Sequence, residues 1–376
     1  MIRILLGVLS VSSSTRIVYV EGAPRDRGFS YGSSAKDLIH KNIEIYRVLY
    51  RRFAGLEWDN VKAEAEGWIP IIRKYDGEIM DEIEGIAAGA ECSVEEIVAL
   101  NARYEFSITT LSRRNRRECT AFAVTPDSSL IDETILGQNW DFRSRFRETC
   151  LILGVRQEGE KPDVLMHLEA GTVGHKGLNS SGLGLCINAL LSDRDRVEAG
   201  VPLVSVVARK ILNSSTMRDA VHAVTRAKRS ASINYLIAHS GGEALDLEVT
   251  PEDVAVLHPN EGILTHSNNF LSPNFTFRDL GKNVFPDSLV RWDRMRRLLI
   301  SKKRLNVNSI RAAVSDHFDY PNSICRHPDQ RAHPDEQFET LTSVLMILGE
   351  GRLYFTEGAP CRAKYKLLTV KKKSKH

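Results

Sequence analysis

Several features that would place this chain quickly are missing. No stretch reaches the roughly 18 consecutive apolar residues that cross a bilayer as a helix, so no membrane span is expected. The six cysteines (Cys92, Cys119, Cys150, Cys186, Cys325 and Cys361) include no CxxC pair, which removes the common zinc and redox motifs. At 376 residues the chain is far above the size that needs disulfide staples, so most of these thiols are expected buried and reduced. Charge of one sign is also scarce: 51 basic against 48 acidic residues leave a net +3. The basic clusters are local, at Arg113, Arg114, Arg116 and Arg117 and at Lys371, Lys372, Lys373 and Lys375. They read as a solvated loop and a frayed end, because a nucleic-acid surface would add interleaved aromatics and a recognisable module. There is no internal repeat and no low-complexity segment. What remains, 42% hydrophobic and 26% charged, is the composition of a globular protein with a sizeable core.

Residues 2–11 are apolar after one arginine. They have the length of a short signal-peptide core, but Ser12-Ser13-Ser14-Thr15 is a poor small-x-small cleavage site. A strand-like lead-in and a cytoplasmic location are therefore the expectation. Helical spacing follows. Tyr31, Ala35, Leu38, Ile45 and Leu49 mark one amphipathic helix ending near Phe53. Val61, Ala65, Trp68, Ile72, Tyr75, Ile79, Ile83 and Ile86 mark a longer stripe interrupted at Pro70. Ser93-Val94-Glu95-Glu96 is a capping box opening a third helix, so the region before Cys119 reads as helical.

The texture changes at Cys119. Short runs rich in β-branched residues appear at 119–125, 134–139, 149–155 and 163–168, separated by turn residues. Two further strands flank 177–184. Two helices follow, one after Pro202 and one near 216–228. Strands are expected at 233–239, 243–249, 253–258 and 262–267, helices near 287–300 and 307–317, and final strands at 341–348 and 352–357. Strands, helices, strands, helices, strands is the order of an α/β layered fold with sheets covered by helices. The near-doubled His-Pro-Asp at 327–335 reads as an exposed loop; its two histidines fit no zinc spacing, and no metal is expected.

Cys119 stands where a charged run ends at Glu118 and a small, apolar strand begins, at the edge of a loop. A thiol reacts as its thiolate, and a free cysteine of pKa about 8.5 is only a few per cent ionised near neutrality. Cutting the Glu118–Cys119 bond would give Cys119 an α-amine of pKa about 7.7–8.0, so that one residue supplies both nucleophile and base.

Cys119-Thr120-Ala121-Phe122 with Gly137-Gln138-Asn139-Trp140-Asp141-Phe142 resembles the signature of the isopenicillin-N N-acyltransferase family of N-terminal-nucleophile (Ntn) hydrolases. The resemblance extends through Glu84–Ala90, Glu96–Asn101, Thr265-His266-Ser267-Asn268-Asn269-Phe270, Pro286-Asp287-Ser288 with Arg294-Met295, and Tyr320–Arg326. It implies a four-layer αββα sandwich of two stacked, mainly antiparallel sheets, preceded by a helical segment. It further implies self-cleavage at Glu118/Cys119 into chains 1–118 and 119–376 that remain associated, with self-association left open. By the same resemblance Asp141 orients the new amine, Asn268 donates to the oxyanion, and Asn179, Asn188 and Gly174 lie near the substrate. His266 reads as structural. The expected substrate is a small N-acyl compound, handled through a Cys119 thioester with no cofactor. Two departures stand out. Glutamate replaces the glycine that precedes the cysteine in well-known members. Glu336-Gln337 replaces a Ser-Arg pair, so penicillin and acyl-coenzyme A are not the expected substrates. The competing readings are an uncut cysteine hydrolase with His266 as base, and a non-catalytic binding member of the fold.

Overall fold

The computed structural model describes residues 14–110, 118–196 and 198–371, with backbone alone at 107–110. The expectations for residues 2–11, for the arginines at 113–117 and for the last lysines lie outside these residues. A first strand, β1 (Arg16–Val20), leads into seven helices: α1 (Pro24–Ser34), α2 (Lys36–Ala54), α3 (Trp58–Glu66), α4 (Ile69–Tyr75), α5 (Gly77–Ala90), α6 (Val94–Asn101) and α7 (Arg103–Thr110). The stripe interrupted at Pro70 is three helices, with the proline in the first turn of α4. The capping box is present in full: Ser93 and Glu96 satisfy each other's backbone N–H groups at the start of α6. Between the expected lead-in and the helices lies a strand that was not expected, β1. Arg16-Ile17-Val18-Tyr19-Val20 alternates exposed and buried side chains and pairs in parallel with a strand that begins at Cys150, a β-period signal too short to stand out.

Eight strands follow before the next helix pair is complete and after it: β2 (Glu118–Val124), β3 (Ile135–Arg143), β4 (Cys150–Val155), β5 (Val164–Glu169), β6 (Gly177–Asn179), β7 (Leu183–Ala189), then α8 (Ala208–Leu212) and α9 (Met217–Thr225), then β8 (Ile233–His239) and β9 (Ala244–Val249). The chain closes with β10 (Val254–Leu257), β11 (Ile263–His266), α10 (Gly281–Val284), α11 (Asp287–Ile300), α12 (Val307–Val314), β12 (Phe338–Ile347), β13 (Arg352–Phe355) and β14 (Lys366–Thr369). β14 was not anticipated; Lys-Leu-Leu-Thr carries neither alternation nor a β-branched run.

The strands form two sheets, ordered β1-β4-β5-β6-β7-β8-β9-β10 and β11-β2-β3-β12-β13-β14. Apart from β1 with β4, every pairing is antiparallel. The sheets face each other across Ala121, Ala123, Leu136, Ile152, Leu165, Leu236, Val344 and Met346. Alternation along β2 sends Phe122 and Val124 the other way, against Met295 and Leu299 of α11 and Ile310 of α12. The outer face of the larger sheet carries the N-terminal helices with α8 and α9. This is the expected four-layer αββα arrangement. Its inner strands are buried on both faces, which is why they read as unbroken small or apolar runs. Each fully buried leucine, isoleucine or phenylalanine contributes roughly 1.5–3 kcal/mol. Helices α1 and α5 touch backbone to backbone: a Cβ at Gly28 or Gly85 would lie 2.2 Å from the carbonyl oxygen of Glu82 or Arg25.

Candidate active site

Strands β2 and β3 place the site. Their register sets Glu118 opposite Asp141 and Cys119 opposite Trp140. Cys119 is 4% exposed, not at a loop edge as expected, because the strand starts one residue earlier and Glu118 is buried too. Its side chain lines a cavity of about 30 Å3 with Trp140, Phe142, Ile187, Ala189, Arg103, Glu169 and His175. That volume holds one or two waters. Burial pushes the thiol up to about 12, aided by the Asp141 charge and opposed by Lys176, Gln138 and Arg291. In the uncut chain the thiol is thus protonated near neutrality.

The backbone of Cys119 is held on both sides. Its N–H donates to Asn268 Oδ1 at 2.9 Å. Its carbonyl accepts from Arg291 at 2.8 Å and from Asn188 Nδ2 at 3.3 Å. One N–H of the Asn268 amide donates to Ala189 O at 3.0 Å, leaving the second free to reach a developing oxyanion. The resemblance gave Asn268 to the oxyanion; the geometry also makes it the holder of the Cys119 nitrogen. Asn188 is fixed by Asn234, whose amide donates to Asp246 at 2.6 Å.

Asp141 is buried, and in the uncut chain the Cys119 N–H goes to Asn268 rather than to it. Asp141 Oδ1 accepts from Thr340 Oγ1 at 2.6 Å and its Oδ2 lies 3.6 Å from Arg326 Nε. Burial lifts its carboxyl to about 6 against the pull of Arg326 and Arg291. Asn179 and Gly174 are not brought to the thiol. Asn179 donates to the carbonyls of Leu212 and Ser214 and accepts from Ser181 and Leu183. This turn lies about 17 Å along β7 from Asn188 at ordinary strand rise. A Cβ at Gly174 would meet Ser205 O at 2.3 Å, so this glycine lets the helical segment before α8 pack close.

Sequence reasoning missed the groups that surround the Glu118–Cys119 bond. Arg291 is 1% exposed and Arg326 2% exposed. Arg291 donates to Cys119 O, Thr120 Oγ1, Glu118 Oε2, Asn268 Oδ1 and Asp287 Oδ2. Arg326 donates to Glu118 and Asp287. Three carboxyls, those of Glu118, Asp141 and Asp287, therefore share two guanidiniums, and the group is neutral when one carboxyl keeps a proton. Burial pushes Glu118 up to about 8 despite both arginines. Burial also opposes the Asp287 charge, but Arg291 and Arg326 outweigh it and hold that carboxyl below its usual range. Burial and the two arginines thus favour the shared proton on Glu118 over Asp287. Glu118 Oε1 has no other partner, and Asp287 is within hydrogen-bonding reach as acceptor. The i, i+4 spacing of Asp287 and Arg291 on an expected helix was the legible hint.

Lys176, also unforeseen, is fully buried. Its ammonium lies 4.0 Å from the Trp140 ring centroid and 3.3 Å from His175 Nδ1. Burial brings it down to about 8. His266 is the structural residue expected: Nδ1 faces Ser267 O at 2.9 Å and Nε2 faces Glu248 Oε1 at 2.9 Å. Both nitrogens meet acceptors, so the ring is an imidazolium with no lone pair for a thiol proton. Burial disfavours that charge, but Asp246 and Glu248 outweigh it and raise the histidine. The expectation of no metal-ligand set does not carry into three dimensions either. Outside this site Cys325, Cys361, His317 and His327 converge, and Cys361 is exposed.

No helix among the described residues is long and apolar enough to cross a membrane. The family model for acyl-coenzyme A:6-aminopenicillanic acid acyl-transferase matches residues 130–362. Over 315 residues the chain is 30% identical to the acyl-coenzyme A:6-aminopenicillanic-acid-acyltransferase 40 kDa form of Emericella nidulans, covering 82% of this chain and 84% of that protein. Among solved structures it is similar to a conjugated bile acid hydrolase from Clostridium perfringens, at 15% identity and a TM-score of 0.44 over 69% of this chain and 99% of that one. Penicillin V acylase from Agrobacterium tumefaciens aligns at 12% identity and a TM-score of 0.44 over 67% and 86% of the two chains.

Proposed function

The chain belongs to the acyl-coenzyme A:6-aminopenicillanic acid acyl-transferase family, and from that premise we propose an Ntn enzyme that cuts itself before Cys119. The freed Cys119 then cleaves or transfers the acyl group of a small N-acyl amide. The observation that carries this reading is the clamp on Cys119: its nitrogen on Asn268 and its carbonyl on Arg291 and Asn188, with its side chain in a cavity. A merely structural buried cysteine would also need backbone partners, but not a side chain set in a cavity beside two asparagines and an arginine.

In the first step Cys119 Sγ attacks the Glu118 carbonyl carbon. The C–N bond breaks, the nitrogen leaves with the thiol proton as the α-amine of Cys119, and a thioester remains between Glu118 and Sγ. Water hydrolyses that thioester, returning the thiol and leaving a new carboxylate on Glu118. An acyl amide needs more room than the present cavity, and severing this bond is what lets Glu118 separate from the thiol. In turnover the α-amine, kept in place by Asn268 Oδ1, takes the thiol proton as Sγ attacks the substrate carbonyl. The substrate amine departs with that proton, and water or a second amine takes the acyl group from sulfur. Hydrolysis is the default outcome, since transfer requires water to be excluded. Arg103 and Glu169, a buried pair at 2.8 Å on the cavity wall, and the rings of Trp140 and Phe142 give the acyl pocket an apolar body with a charged end.

The two products stay together, because the leader contributes both β1 within the larger sheet and the helices over its outer face. Intact-mass measurement tests the reading. The 42.2 kDa chain separates under denaturing conditions into residues 1–118 and 119–376, about 13 and 29 kDa in proportion to length. Cys119→Ala stays whole. A single uncut species that turns over acyl amides would refute self-processing.

A further inference from the structure

Four side chains unused above meet beside the site. His317 lies just beyond α12, Cys325 and His327 lie on the segment leading to β12, and Cys361 follows β13. One donor atom from each falls within 4.8 Å of all the others. His327 Nε2 is 3.1 Å from His317 Nε2, 3.4 Å from Cys361 Sγ and 3.7 Å from Cys325 Sγ. A ring nitrogen has one lone pair or one N–H, so it can satisfy only one of these three neighbours by hydrogen bonding. A cation at the centre accounts for all of them at once. With Zn–N of about 2.0–2.1 Å and Zn–S of about 2.3 Å, the edges of a tetrahedron run about 3.4 Å between nitrogens, 3.6 Å between nitrogen and sulfur, and 3.8 Å between sulfurs. The three separations from His327 Nε2 lie within about 0.3 Å of these edges, and the other pairs, all within 4.8 Å, close onto an ion with small side-chain shifts.

We propose that His317, Cys325, His327 and Cys361 form a structural Cys2His2 zinc site. Zinc enters as the aqueous ion. The two thiols lose their protons to solvent, and two thiolates neutralise the 2+ charge while both imidazoles remain neutral. Cys325 and His327 are buried, whereas His317 and Cys361 are exposed, which gives the ion a route in. The ligand order is His-x7-Cys-x-His-x33-Cys, a spacing no zinc-finger pattern contains. The residue between the two central ligands is Arg326, whose guanidinium holds Glu118 and Asp287. The metal therefore fixes the backbone that aims this arginine at the scissile bond. The inference rests on ligand geometry alone and stands or falls separately from the proposed reaction.

The test uses the full chain, produced in zinc-containing medium and purified under a phosphine reductant. Elemental analysis is expected to return about one zinc per chain. Exchange with cobalt(II) should give the near-ultraviolet thiolate-to-cobalt band and the visible bands of a tetrahedral ion. Cys361→Ser and His317→Ala, both at exposed positions, should each lower retained zinc at least tenfold after dialysis while circular dichroism is unchanged. Cys361→Ser should also weaken the thiolate band. Less than a tenth of an equivalent of zinc in the unmodified chain after zinc addition would overturn the proposal. So would a Cys325–Cys361 disulfide in a non-reducing peptide map, or variants that keep their metal.

Discussion

Replacing Glu118 by glutamine probes the charge group around the Glu118–Cys119 bond. Glu118 is fully buried and its carboxyl is lifted from 4.5 to about 8. Below pH 4.5 the carboxyl is protonated in folded and unfolded chains alike and has no effect on stability. Between pH 4.5 and 8 the unfolded chain releases the proton while the folded chain keeps it, so stability falls by about 1.4 kcal/mol per pH unit. The loss levels off above pH 8, at on the order of 4–5 kcal/mol. Glutamine mimics the protonated acid: its NH2 can donate to Asp287 and its oxygen can accept from Arg291 and Arg326. It also leaves two carboxylates against two guanidiniums with no proton to lose. Both chains should carry Cys119→Ala, so that neither cuts itself, and be unfolded in urea at pH 5, 7 and 9. At pH 5 they should agree within about 1 kcal/mol. At pH 9 the Glu118→Gln chain should be the more stable by on the order of 4 kcal/mol. A gap that ignores pH, or a glutamine chain weaker at pH 9, would show that Glu118 is held as a carboxylate and that the shared-proton account is wrong.

Further outcomes follow from the same geometry. His266→Gln should leave self-cleavage in place while costing about 1–3 kcal/mol, since Glu248 loses its charged partner but keeps the backbone N–H groups of Leu271 and Ser272. Because His266 is raised, its stabilisation is present below pH 6.5 and fades as pH rises past its folded value. Loss of the cut in a folded His266→Gln chain would instead favour a histidine base. Asn268→Ala and Asn188→Ala should slow the cut by about 10²–10³, followed as fragments on denaturing gels. Asn179→Ala should lower the melting temperature and leave the rate alone; a slowed rate would return Asn179 to the site. Lys176→Met removes a positive charge near the thiol, so iodoacetamide labelling of the processed enzyme should need a pH about one unit higher; an unmoved profile would make Lys176 a packing residue. Activity of the processed enzyme should fall as pH drops through about 6, where Asp141 takes up its proton, and Asp141→Asn should flatten that limb.

Local order was open to reading because it depends on near neighbours. The 3.6-residue stripe gave the helical run from Tyr31 to Phe53, which the structure divides at Ala35 into α1 and α2; the capping box gave α6, alternation between turn residues gave β8 at 233–239, and a helix was expected near 287–300, where α11 lies. The switch from charged loop to small-residue strand at Glu118–Cys119, with its matched motif, singled out Cys119 as the proposed nucleophile. Tertiary structure alone decided what surrounds it. Asn268, Arg291 and Arg326 reach Glu118 and Cys119 across separations of 149 to 208 residues, and no periodicity encodes such pairs. It also pushes a glutamate towards its protonated form, since that residue is sealed in with two more acids and only two arginines. Likewise it turned two cysteines and two histidines of unremarkable spacing into one cluster. A chain can announce which face of a helix or strand is buried, because that repeats every few residues. Which charges are buried together is a property of the packed layers, and appears only when the sheets close on each other.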